Sequence, residues 1–230
     1  MRPETSVGTL ALDDVSVERE GRAILRDVSV EVTAATTAII GANGSGKSTF
    51  ARLLNGLVLP STGTVRVHGL DSRRDTVALR RRVGFVFTDP QAQILMPTPA
   101  EDLALSLRGL PRAEVASRVS AALAEHGLSD HAQVAASDLS GGQKQMLALA
   151  SVLITQPRLV IADEPTTLLD LRNARRVGDL LLACAAQLVI VTHDLELASR
   201  CDHAVLFEHG AIHASGAPAE VIAAYRDLCA

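Results

Sequence analysis

No stretch of these 230 residues is long and apolar enough to cross a bilayer. The longest apolar runs, such as Leu188 to Val191 and Val205 to Phe207, are strand-sized, against the ~20 residues that a spanning helix needs. The opening MRPETSVGTL lacks the apolar core of a signal peptide, so any role at a membrane calls for a separate membrane-embedded partner. A basic excess is missing as well: 22 Lys and Arg stand against 26 Asp and Glu, for a net charge of -4. Such a balance leaves no electrostatic footprint for nucleic acid, which is not expected as a partner. The densest basic stretch, Arg73, Arg74, Arg80, Arg81 and Arg82, fits either a solvated helix face or a docking surface. Cys184, Cys201 and Cys229 are scattered, odd in number and without metal-ligand spacing, as in a reduced intracellular compartment.

What is present is an ordinary globular composition, 47% apolar and 21% charged, in a chain long enough for one substantial domain or two small ones sharing a core. Apolar alternation at Leu10 and Leu12, Val15 and Val17, then Val28, Val30 and Val32 reads as antiparallel strands. Ala38 to Ile40 is a short buried strand entering a glycine-rich turn, followed by helical periodicity over Lys47 to Leu57. A strand at Thr64 to Val67, a helix at Thr76 to Arg82 and a buried strand at Gly84 to Phe87 follow. Thr98 to His126 is mainly helical, with Pro99 and Pro111 as helix openers, and reads as part of a helical subdomain inserted into an α/β core. Beyond Ser140 helices (143–155, 171–186, 195–201) alternate with strands (159–162, 188–191), which argues for a mostly parallel sheet covered on both faces. Two short strands at 204–207 and 211–214 and a helix at 217–229 close the chain.

The sharpest motif is GANGSGKST, Gly41 to Thr49, which matches G-x-x-x-x-G-K-[ST] between a buried strand and a helix. Gly41, Gly44 and Gly46 let backbone N–H groups approach phosphate oxygens, with Asn43, Ser45 and Thr49 completing the loop. The helix N-terminus adds positive partial charge. Lys47 would reach the β- and γ-phosphates, and the Ser48 hydroxyl would ligate Mg²⁺. At average residue usage the pattern arises by chance in roughly one chain in a hundred of this length, and its strand–loop–helix setting makes an idle glycine turn rarer still.

A second element, LVIADE at Leu159 to Glu164, ends a buried strand in two carboxylates, where ligands of open α/β sheets bind. Asp163 would hold Mg²⁺ through water, and Glu164 would polarise the attacking water. Taken alone, such a pair is more often a helix N-cap region. The third, LSGGQ at Leu139 to Gln143, is on physical grounds another glycine-rich anion site, Ser140 capping the helix it opens.

GANGSGKST, LSGGQ and IADEPTTLLD together resemble the ABC (ATP-binding cassette) ATPase family over nearly the whole chain. The resemblance implies an α/β P-loop NTPase fold with a mostly parallel sheet core, an N-terminal antiparallel β subdomain and an inserted helical subdomain at roughly 89–155 of a single 1–230 domain. It also implies ATP and Mg²⁺ as ligands, with Ser140, Gly141, Gly142 and Gln143 closing over the γ-phosphate held by the opposite subunit. Asp170 falls on the dimer-contact loop, and His193 in VIVTHD on the switch histidine that contacts the γ-phosphate. A lone histidine there would otherwise be read as a structural hydrogen-bonder.

Two positions depart from the family. Thr88 stands where a glutamine near Mg²⁺ is usual, with Gln91 and Gln93 as possible substitutes. Arg19 occupies the place of an aromatic that stacks on adenine; its guanidinium can stack or stay solvated. Within the family, FARLLNGLVLPSTGTV and PTTLLDLRNARRV resemble ATPases of energy-coupling factor (ECF) importers, the biotin-uptake type above all. That resemblance implies a homodimer or paired ATPase at the cytoplasmic face of the membrane, docked on a transmembrane coupling subunit beside a vitamin-binding membrane subunit. Cobalt, nickel or another vitamin are alternative solutes. A soluble ABC ATPase for cofactor assembly is the alternative of a different class.

Overall fold

The computed structural model describes residues 7–230. The chain opens with β1 (Leu10–Arg19) and β2 (Arg22–Val32), an antiparallel hairpin closed by Glu20 and Gly21. β1 is one strand although its inward residues change phase, from Leu10 and Leu12 to Val15 and Val17. The pairing with β2 shifts between Leu12 and Val15, and Asp14 there has φ 47. This bulge takes up the extra residue and keeps all four side chains on the core face.

β3 (Thr36–Gly41) is buried throughout and leads into α1 (Lys47–Leu54). The helix is one turn shorter than its periodicity suggests, because Asn55 and Gly56 (φ +69) end it and Leu57 and Val58 turn back onto the Arg52 carbonyl. β4 (Thr62–Val67) begins two residues before its expected start and pairs with β1 and with the two-residue β5 (Leu70–Asp71), which has no sequence signal of its own. After α2 (Thr76–Arg82) comes β6 (Val83–Val86), one residue earlier than expected. Phe87 leaves the ladder because its N–H donates to Gln93 Oε1 at 3.2 Å.

The helical stretch holds α3 (Pro99–Ser106), capped by Thr98 with Pro99 in the first turn, and α4 (Arg112–Glu125), which starts after Pro111. Short 3-10 turns at Ser129–His131 and Ala136–Asp138 lead to α5 (Gly141–Leu153). β7 (Leu159–Asp163), α6 (Leu171–Ala183), β8 (Gln187–Val191) and α7 (Leu195–Ser199) then alternate, and β9 (His203–Glu208), β10 (Ala211–Gly216) and α8 (Pro218–Leu228) finish the chain. α6 stops three residues short of its expected end, where Cys184 turns extended and the chain enters β8. α7 likewise ends at Ser199 rather than Cys201.

The main sheet has the order β10-β9-β3-β8-β7-β6, parallel except for the edge strand β10. Because side chains alternate along a strand, each central strand feeds two cores. Ile39, Ile161, Val189 and Phe207 face α1 and the antiparallel sheet. Ile40, Val160, Ile190 and Leu206 face the other side, where Leu103, Leu123, Met146, Leu147 and Leu181 of α3 to α6 join the same cluster. The helical stretch thus shares its apolar core with the sheet.

Phe50 on α1 is 1% exposed, and its ring centroid lies 5.1 Å from that of Phe207. Phe50→Ala is expected to cost about 3–5 kcal/mol, read as a lower denaturant midpoint with an unchanged slope.

Candidate functional site

β3 delivers the glycine loop to the carboxyl edge of the main sheet, and two positions there admit only glycine. Gly41 has φ +138, and a Cβ on it would lie 2.2 Å from the Phe207 carbonyl oxygen. Gly46 has φ +105, and a Cβ would meet Leu25 Cδ2 at 2.5 Å. The loop is therefore clamped between β9 and the β1–β2 hairpin. Gly210 adds a third tie, donating to the Ser45 carbonyl at 3.1 Å while its own carbonyl accepts from Arg26 at 2.8 Å. Ser45 Oγ is buried with no hydrogen-bond partner among the described residues.

Lys47 is 6% exposed, and its Nζ donates to the carbonyls of Gly41 and Ala42, both at 2.8 Å. Burial pushes its pKa down, against the opposing charges of Glu164 and Asp163. A desolvated ammonium and an unpartnered buried hydroxyl beside a helix N-terminus suit an anion of several oxygens.

β7 brings Asp163 beneath α1, where Ser48 Oγ donates to its Oδ1 at 2.9 Å. Arg52, one turn further along α1, lies 3.8 Å from Oδ2. Sequence reasoning passed over Arg52; its place four residues after Ser48 on one helix face was the available signal. Asp163 is 2% exposed, and burial raises its pKa in spite of Ser48 and Arg52. Ser48 and Asp163 are an all-oxygen donor pair suited to a hard cation completed by water and phosphate. Among the described residues no group of three or more His, Cys, Asp or Glu could hold a metal ion by itself.

Glu164 follows with φ 52, its N–H continuing the ladder by donating to the Val191 carbonyl at 2.9 Å. Its side chain is 15% exposed, and its Oε2 lies 2.7 Å from His193 Nδ1 and accepts from the Thr167 hydroxyl at 3.0 Å. An ionised carboxylate only accepts, so the His193 ring donates from Nδ1. Thr88 donates to the Asp163 backbone carbonyl at 2.8 Å, tying the tips of β6 and β7 together. Gln93 is spent on structure: its amide bridges Phe87, Ala148 and Ser151. That leaves the exposed Gln91 as the uncommitted glutamine of the TDPQAQ segment.

Arg19 is exposed at the tip of the hairpin, opposite Arg22. The register puts it two residues beyond Val17, the partner of the Leu25 that touches Gly46.

LSGGQ forms a complete capping box. The Ser140 N–H donates to Gln143 Oε1 at 2.8 Å, and the Gln143 N–H to Ser140 Oγ at 3.3 Å. Asp170 caps α6 by accepting from the Asn173 N–H and side-chain amide, both at 2.9 Å. The backbone bond from Asn173 holds its carboxyl below the usual aspartate range. Asn173 also backs the signature loop, since a Cβ on Gly142 would lie 2.7 Å from its Nδ2. LSGGQ and TTLLD thus sit side by side, with Leu168 and Leu171 69% and 79% exposed next to them. No hydrogen bond or ion pair among the described residues joins LSGGQ to the Lys47, Asp163 and Glu164 group.

The raised pKa of Asp163 has a direction in stability. Its folded form favours the proton, so the ionised carboxylate weakens the fold as pH rises above the ordinary aspartate value of 3.8. Asp163→Asn, which keeps an acceptor for Ser48, is expected to raise the melting midpoint at pH 7. The gain should disappear as pH falls below 3.8, as a pH series of thermal melts would record.

The family profile described as ABC transporter matches residues 25–167. A Deinococcus radiodurans chain with a provisional designation as an ABC transporter ATP-binding protein is 44% identical over 95% of this chain and 97% of its own. The biotin transport ATP-binding protein BioM of Rhizobium etli is 40% identical over 96% and 99%. Among solved structures, cbiO1 of Clostridium perfringens, part of the ABC transporter complex cbiONQ, superposes with a TM-score of 0.85 at 30% identity, covering 95% of this chain and 92% of that one. The ATP-binding cassette MJ0796, solved as a dimer in a post-hydrolysis state with ADP and Pi, gives 0.81 at 26% identity, covering 91% and 98%. With the phosphate loop, the paired carboxylates and the signature loop each in place, the chain belongs to the ABC transporter family as one of its ATP-binding, ATP-hydrolysing domains.

Proposed function

We propose that this chain powers an ECF-type importer from the cytoplasmic face of the membrane, and that the imported solute is biotin. Similarity to BioM over almost the full length of both chains supports the solute, and similarity to an energy-coupling factor transporter ATP-binding protein of Lactiplantibacillus plantarum supports the transporter type. No helix among the described residues is long and apolar enough to cross a membrane, so transport requires the transmembrane coupling subunit and the vitamin-binding membrane subunit as partners.

The observation that carries the catalytic reading is the Glu164–His193 contact of 2.7 Å beside the phosphate loop. The backbone N–H groups of Gly41 to Thr49 cradle the phosphates of ATP, and the Lys47 ammonium moves from its loop carbonyls to the β- and γ-phosphate oxygens. Mg²⁺ fits the Ser48 hydroxyl and Asp163 carboxylate and, when bound, neutralises charge on those phosphates. Thr88 borders that position with its proton given to the Asp163 carbonyl and its lone pairs available to the water shell. Glu164, aimed by His193 and Thr167, accepts the proton of the attacking water. His193, in contact with Glu164, stands as the switch residue for the γ-phosphate, and Arg19 is the residue at the adenine end.

Because one chain carries both Lys47 with Glu164 and an intact Ser140 to Gln143 loop, two copies supply two complete sites. LSGGQ of each closes over ATP held by the other, and the exposed Leu168, Asp170 and Leu171 line the seam. The MJ0796 dimer supports this arrangement.

Glu164→Gln keeps the shape and removes the base. ATP binding should persist and turnover should fall at least ~100-fold, while the ATP-bound dimer accumulates on size-exclusion chromatography; near-normal turnover removes Glu164 as the base. Co-expressed with its membrane partners, the complex should accumulate labelled biotin in an ATP-dependent way. Uptake of a different vitamin or of a metal ion instead overturns the solute and leaves the ATPase reading standing.

A further inference from the structure

Gln143 closes the capping box with its amide oxygen, and this decides which way the amide points. Its NH₂ group faces His131, 2.9 Å from Nε2. An amide NH₂ only donates, so Nε2 must accept, and the imidazole carries its proton on Nδ1. That nitrogen is buried with no hydrogen-bond partner among the described residues. A ring kept for bulk alone would be better replaced by an apolar side chain, since a buried N–H without a partner destabilises the fold. The polar contact recorded for this ring is the signature amide.

The histidine is held firmly by its own segment. Its N–H donates to the carbonyl of Leu128, a fully buried residue, and its carbonyl accepts from Val134. The adjacent Ala132 carbonyl accepts from Ala100 in the first turn of α3. The ring is therefore presented by the helical layer, while Asn173 at the start of α6 backs Gly142. His131 and Asn173 thus each touch a different residue of the signature loop.

We propose that His131 is a positioning residue for ATP hydrolysis: by accepting from Gln143 it holds LSGGQ in the shape that closes over the nucleotide of the partner copy. The inference rests on the reading of LSGGQ as that closing loop. His131 itself touches no nucleotide; it acts through the Gln143 amide.

His131→Leu removes the acceptor, and His131→Gln places a carbonyl oxygen near the position of Nε2. The leucine variant should lose about fivefold in kcat, as one neutral hydrogen bond implies. Its affinity for a fluorescent ATP analogue, read below the dimerisation concentration, should match wild type. The glutamine variant should recover most of the rate. In a Gln143→Ala background, His131→Leu should change kcat by less than about twofold, because the partner is already gone. A wild-type rate in His131→Leu, equal losses in the leucine and glutamine variants, or additive losses in the double variant each overturn the proposal. Should His131→Leu unfold, the decision passes to His131→Asn, too short to reach Gln143, against His131→Gln, and equal rates again overturn it. Gly141→Asp separates the two readings, since a Cβ at Gly141 meets open space and the fold tolerates it. Wild-type hydrolysis in that variant sinks the closing-loop reading itself. Loss there beside a normal His131→Leu sinks only the role of His131.

Discussion

A cation and a carboxylate withdrawn from water at the carboxyl edge of the main sheet set the terms for the rest of the molecule. Lys47 and Asp163 are 6% and 2% exposed, and burial drives each toward its neutral form. They are not paired with each other: the ammonium rests on two loop carbonyls, and the carboxylate on Ser48 with Arg52 behind it. Groups of this kind weaken a core and are kept where chemistry uses them. Holding them requires a backbone that cannot relax, and the clamp of Phe207, Leu25 and Gly210 on the glycine loop provides it.

The layered packing supplies that rigidity. Alternate residues of β3, β7, β8 and β9 fill two separate cores, so the strands that end at the site are fixed from both faces. α1 lies between the two sheets, which aligns Ser48 and Arg52 over Asp163. The other core carries a different responsibility. α3, α4 and α5 share apolar contacts with the main sheet, so the position of LSGGQ is coupled mechanically to the strands that bear Asp163 and Glu164.

Within one chain the signature loop and the phosphate loop remain separate groups. Each is well formed: one by a capping box with His131 and Asn173 around it, the other by glycine geometry and a buried lysine. Near LSGGQ, Leu168 and Leu171 are left largely exposed. Two locally complete loops kept apart in one chain are what the proposed site across two copies asks of each half.

Much of this was legible in the residues. GANGSGKST, LSGGQ and the IADE strand end were readable because tight glycine turns, helix capping and carboxylates at a strand end each need particular residue types at short spacing. The two-residue alternation of the strands and the helix openers Pro99 and Pro111 were readable for the same reason: local chemistry decides them. Element ends were less so. α1 stops at Asn55 and Gly56, and β6 at the point where Gln93 takes the Phe87 N–H, contacts that no periodicity contains. The tertiary structure alone decided what Thr88, Gln93, Arg52 and His131 do, since their partners lie between 6 and 111 residues away or are chosen by how layers stack. A short motif records the chemistry that must occur, whereas the partners that aim it depend on which distant backbone the packing brings near.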